Sequence, residues 1–185
     1  MKKLISDPDV MLLAQLSRML QEEYAEGDEA WIDSPFLWIK TRPSRQVGTI
    51  GERLLAGFLA AKGFDVVHAP NSDSDRLVNG KKVEIKFSTL WANGFYKFQQ
   101  IRDQDYELVI CLGISPFDAH AWVIPKVVLI NNWGKVPGIQ TQHGGRRGSD
   151  TAWLTVYPEK VYEWLEPYGG TLEKAVKCFK HLTSD

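Results

Sequence analysis

The spacing of apolar residues changes period several times along the chain, and each change marks a predicted element. From residue 9 to 25, Leu12, Leu16, Met19, Leu20 and Tyr24 recur at helical intervals after a start signal at Asp7-Pro8. A short helical segment with Phe36, Leu37 and Ile39 follows Ser34-Pro35. Thr49 to Lys62 forms a second amphipathic helix, with Ile50, Leu54, Leu55, Phe58 and Leu59 apolar and Gly63 closing it. Residues 64–67 read as a short strand. Phe95, Phe98 and Ile101 fall at helical spacing, so 95–103 is predicted as a helix. Leu108 to Ile114 is one apolar run, a strand covered on both faces. Ala119 to Ile130 is a strand interrupted at Pro125. A Gly- and Asn-rich loop over 131–150 precedes a strand at 152–157 and two closing helices near 158–166 and 171–182. This order predicts an α/β fold, a mixed β-sheet flanked by helices with an added N-terminal helix.

Between the second helix and the long apolar strand lies Asp73-Ser-Asp75-Arg-Leu-Val-Asn-Gly-Lys-Lys-Val-Glu84-Ile-Lys86. Asn79-Gly80 is the pair that a type I′ turn demands, because both central residues need positive φ. With that turn, Asp75 lies opposite Glu84 and Asp73 opposite Lys86, on one face of a hairpin. Opposed residues have Cβ atoms about 4.5–5.5 Å apart. Two carboxylates at that separation need a cation between them. Val78, Val83, Ile85 and Phe87 take the other face, so a slip of one residue would bury Glu84 and expose Ile85.

Composition narrows the setting. The 185 residues are 44% hydrophobic, enough for a core, and the length fits a single domain. A formal net charge of −1 gives no overall attraction for nucleic acid, so any such binding depends on local patches. The two cysteines, Cys111 and Cys178, match neither a disulfide framework nor zinc-ligand spacing. The start of the chain has no apolar signal core and no run of 18 apolar residues occurs, which leads us to expect a cytoplasmic protein without a membrane anchor.

Asp75, Glu84 and the intervening Ile85 carbonyl offer hard oxygen donors suited to Mg²⁺, with Mn²⁺ as a substitute. Lys86 adds an amine that orients a water and stabilises charge on phosphate. Carboxylates plus one lysine describe metal-assisted phosphodiester hydrolysis better than glycoside or acyl chemistry. No Gly-x-Ser-x-Gly elbow, phosphate loop or His-Glu-x-x-His is present.

Asp75, a short hairpin and Glu84-Ile85-Lys86 together resemble the signature of the PD-(D/E)XK nuclease superfamily, the restriction-endonuclease-like fold. The resemblance covers roughly residues 48–130, and the later strands look like those of small type II restriction enzymes. It implies a catalytic core over that range, with 1–45 as a helical extension, 131–150 as a DNA-recognition loop and 151–185 as a closing strand and helices. It also implies an acidic residue on the preceding helix, a place that Glu52 fills, and an accessory glutamine, Gln99 or Gln100, facing the site from its helix. The Pro-Asp pair itself is missing. Asp73 therefore rivals Asp75 as ligand, and the hairpin register favours Asp75.

No acidic residue occurs between Asp118 and Asp150, whereas Lys126, Lys135, Arg146 and Arg147 do. Gln140, Gln142, His143, Arg146 and Arg147 are candidates for reading base edges in double-stranded DNA. Lys40, Arg42 and Arg45 are suited to phosphates. The expected function is a Mg²⁺-dependent endodeoxyribonuclease of restriction type, acting as a homodimer or with a partner restriction subunit. A structure-specific repair or junction-resolving nuclease and a non-catalytic DNA-binding subunit are the alternatives. The N-terminal helix is a candidate dimer surface, although burial against its own core is the expectation.

Overall fold

A computed structural model describes residues 7–24, 29–70, 74–142 and 151–183. The helices are α1 (Pro8–Tyr24), α2 (Leu37–Lys40), α3 (Ser44–Ala61), α4 (Lys126–Asn131) and α5 (Leu172–Thr183). The strands are β1 (Val66–His68), β2 (Arg76–Val78), β3 (Lys81–Thr89), β4 (Tyr96–Arg102), β5 (Leu108–Ile114), β6 (Ala119–Pro125), β7 (Ile139–Gln142), β8 (Thr151–Val156) and β9 (Gly169–Thr171). They form a mixed α/β architecture. A six-stranded sheet runs in the order β1-β2-β3-β5-β6-β9, and β4-β8-β7 makes a second sheet of three strands. Only the β3–β5 pair is parallel among the described pairings.

Alternation along the central strands divides the core in two. Leu108, Ile110 and Leu112 of β5, Ala121 and Val123 of β6, and Val83 and Ile85 of β3 point to a layer with Leu55 and Leu59 of α3 and Phe179 of α5. Val109, Cys111, Trp122 and Ile124 point the opposite way, against Tyr96, Phe98, Ile101, Ala152, Leu154 and Val156 of the small sheet. Burial of β5 on both faces follows from its unbroken apolar run. The large sheet is thus sandwiched between helices and the second sheet.

Several expectations need correction. Residues 96–102 are a strand, not a helix. Tyr96 and Phe98 are buried at strand spacing, and a β-bulge between Phe98 and Ile101 then shifts the register. The three-residue step from Phe98 to Ile101 is that bulge, with Gln100 at φ 53°, rather than a helical turn. The second amphipathic helix starts at Ser44 instead of Thr49, because Pro43, in extended conformation (ψ 143°), lies just before the first turn and its carbonyl accepts from Val47. After Pro125 the chain turns into α4, and β7 occupies part of the expected 131–150 loop. No helix spans 158–166; a 3₁₀ turn at Glu166–Tyr168 follows a chain tied down by Trp164, whose indole N–H donates to the Pro137 carbonyl at 3.1 Å. Along α1, Leu12, Leu16, Met19 and Leu20 are exposed, so the expected burial against the core does not occur. No described helix is long and apolar enough to cross a membrane.

Candidate active site

Asn79 (φ 50°) and Gly80 (φ 78°) form the expected turn, and β2 and β3 pair as Val78 with Lys81 and Arg76 with Val83. The register holds. At Arg76, however, β2 stops, one residue short of a formal Asp75–Glu84 pair. The Asp75 N–H still donates to Val83 O at 3.0 Å, and its carboxylate Oδ2 accepts from Ile85 N at 2.7 Å. A side-chain oxygen has taken the place of a missing strand. Beyond it no described strand pairs with β3 on that side, while its other edge pairs with β5 as far as Thr89. In a strand the N–H and C=O of one residue point the same way, so the Ile85 carbonyl faces this open edge.

Glu84 and Lys86 lie on the face of β3 that the small sheet covers, contrary to the expectation that this face is polar and outward. Glu84 is only 7% exposed. Its pKa is raised above its ordinary value, chiefly by burial and further by the negative charge of Asp75 and Glu52, against the opposing pull of Lys86. Lys86 Nζ lies 2.7 Å from Glu84 Oε1. The result is a buried carboxylate with insufficient positive charge around it. The folded form binds the Glu84 proton more tightly than the unfolded chain does. Its contribution to stability is present below the unfolded value and is lost as pH rises through the folded one. In chelator near pH 8, Glu84→Gln is expected to melt above the natural protein. Melting curves at falling pH check this, because the gap closes once Glu84 is protonated.

Glu52 enters from the other side, in the third turn of α3. Its carboxylate forms an ion pair with Arg76, which is itself only 7% exposed. Arg76 also donates to the Asp75 carbonyl at 2.7 Å and meets His68 Nδ1 at 3.0 Å. Arg76 was not singled out from the sequence, yet a signal existed. The turn puts it opposite Val83, on the apolar face, where a guanidinium requires a buried partner. Glu52 is thus placed beside the other acids while its charge is already engaged.

These groups open into a cleft of about 710 Å³. Glu52, Asp75, Glu84, Ile85 and Lys86 line it, together with Lys40, Arg42 and Arg45, so the expected phosphate-binding cations do converge on the acids. Gln99 and Gln100 line it too, from the bulge of β4 rather than from a helix. Lys97, which was not foreseen, completes that wall, its N–H donating to Ser88 Oγ at 3.0 Å. Gln140 is exposed on β7 and does not line the cleft. Lys126 pairs with Asp103 at 2.7 Å, also outside the cleft. Asp73, His143, Arg146 and Arg147 lie outside the described residues, as does the side chain of Gln142.

The donor set suits a hard divalent cation: Asp75, Glu84 and one backbone carbonyl at a strand edge. No three described His, Cys, Asp or Glu side chains gather into a ready-made cage. Mg²⁺ does not demand one, since it commonly takes one or two carboxylates and keeps several waters.

No protein-family model matches the chain, and no curated protein matches it. Among solved structures it is similar to a bacterial homing endonuclease, I-Ssp6803I. The two share 15% identity, the match covers 77% of this chain and 100% of the other, and the TM-score is 0.46. At so slight a likeness, the chemistry rests on the cleft itself.

Proposed function

We propose that the chain is a Mg²⁺-dependent endonuclease that hydrolyses phosphodiester bonds in DNA. The observation that carries this reading is the edge of β3 just beyond the hairpin. There Asp75, Glu84, the Ile85 carbonyl and Lys86 share one cleft with Lys40, Arg42 and Arg45. Asp75 and Glu84 would hold the ion, with Ile85 O as the third donor. When bound, such an ion polarises the phosphate and makes a nearby water more acidic.

The chain's own groups account for the rest. Lys40, Arg42 and Arg45 draw the phosphate backbone into the cleft by charge, and Lys86 Nζ donates to the attacking water or to a phosphate oxygen. Arg76 keeps Glu52 and the Asp75 main chain in place. In its finer form this is a restriction-endonuclease-like enzyme of type II, cytoplasmic, and either homodimeric or completed by a partner subunit. One acidic cluster serves one strand, so cutting both strands takes two. A structure-specific nuclease is the second form, favoured by exposed aromatic rings beside the cleft, Trp91 and Tyr157.

Supercoiled plasmid incubated with the purified chain and Mg²⁺ is expected to become nicked or linear. With chelator in place of Mg²⁺ it stays supercoiled. Cleavage unaffected by chelator, or none on any DNA tested, refutes the proposal.

A further inference from the structure

Next to the polar side chains of Lys97, Gln99 and Gln100 on the small sheet, the cleft is also lined by an aromatic ring. Trp91 lines the cleft in the connection between β3 and β4 and is 45% exposed. It is held rather than dangling: its N–H donates to Phe95 O at 2.9 Å, and Gly94 N–H donates back to Trp91 O at 2.9 Å. Its ring stacks on Phe95 with centroids 5.5 Å apart, and Phe95 in turn meets Tyr157 edge-on at 5.5 Å. Tyr157 is also exposed. Three rings are therefore in contact as one track, with Trp91 lining the cleft and Phe95 and Tyr157 beyond its lining. Lys97 lies alongside, its ammonium 4.0 Å from the Trp153 ring centroid and 5.5 Å from that of Trp91.

Resting on the nuclease reading above, we infer that this track binds the unpaired bases of a DNA strand leaving the cleft, so that the preferred substrate carries a single-stranded segment next to the cut. Paired bases inside a duplex hide their faces in the stack, and only unpaired ones present a face to an aromatic ring. Rings spaced along a cationic groove are the arrangement that holds single strands, since stacking accepts any base and the cation serves the backbone. Continuity with the cleft and the charge of Lys97 select this occupant over an apolar peptide, which would leave the ammonium without a counter-charge.

The test compares a blunt duplex with the same duplex bearing a short single-stranded flap, by fluorescence anisotropy without metal and by cleavage in Mg²⁺. The natural protein is expected to favour the flap by roughly tenfold. Trp91→Ala and Tyr157→Ala each reduce that preference, and Tyr157→Ala, outside the cleft lining, leaves blunt-duplex binding and cleavage unchanged; Trp91→Phe keeps part of the preference. A flap of abasic sugars is favoured no more than the blunt end. Equal treatment of flap and blunt duplex, or a preference that survives Trp91→Ala or the abasic flap, overturns the track while the nuclease reading stands. Failure to bind or cut either DNA overturns both.

Discussion

Asp75→Asn and Lys86→Ala are each expected to lower the rate of DNA cleavage by about 10²–10⁴-fold. The two differ in what they do to the fold, which lets chemistry be separated from stability. An asparagine oxygen still accepts from Ile85 N–H, the contact that Asp75 Oδ2 makes at 2.7 Å, so Asp75→Asn keeps the strand edge while removing the charge. Lys86→Ala strips Glu84 of the ammonium 2.7 Å from its carboxylate and leaves a buried acid without its counter-charge. Its melting temperature falls accordingly. Quantified plasmid cleavage and thermal melts of both variants check the pair. If Asp75→Asn melts as the natural protein does and still cleaves at full rate, the site assignment is wrong. Glu84→Gln should be inactive as well, although it is the more stable protein when metal is absent. A site that holds a poorly compensated charge trades stability for chemistry.

The second large effect is structural and reaches the same cleft. Gly51→Ala is expected to cost about 3 kcal/mol and to lower the melting temperature by roughly 6–12 °C. A Cβ built on Gly51 would lie 2.0 Å from Phe87 Cγ and 2.3 Å from Phe87 Cβ. Neither is the loose end of a side chain, so α3 has to move away from β3. Glu52 is the next residue, and its ion pair with Arg76 moves with the helix. A calorimetric scan gives the loss, and cleavage below the new melting temperature should also be impaired. A variant as stable as the natural protein would contradict the close helix–strand approach.

What could be read in the chain follows the strength of local chemistry. Asn79-Gly80 specifies one turn, and that turn dictates the β2–β3 register, so the positions of Asp75, Glu84 and Lys86 were legible before any fold was known. Leu108–Ile114 was equally plain, since burial on both faces leaves no polar residue to interrupt it. The β4 strand was not, because a bulge imitates helical spacing over Phe98 and Ile101. Gly169-Gly170 falls between the two predicted closing helices yet forms strand β9, where Gly169 adopts φ 151° and a Cβ would fall 2.1 Å from Ala121 O. Sheet neighbours far away in sequence decide both cases. The burial of Glu84 was illegible for the same reason: the small sheet that covers it is built from residues 96–156.

The early end of β2 has one more consequence. An unpaired strand edge is a template on which another polypeptide can align, which is how sheets aggregate. Here the first free amide past the hairpin is already bound by a side-chain carboxylate, and acidic and basic groups crowd the remainder. The aspartate that prepares this rim for a phosphate therefore also discourages a stray chain from fastening there.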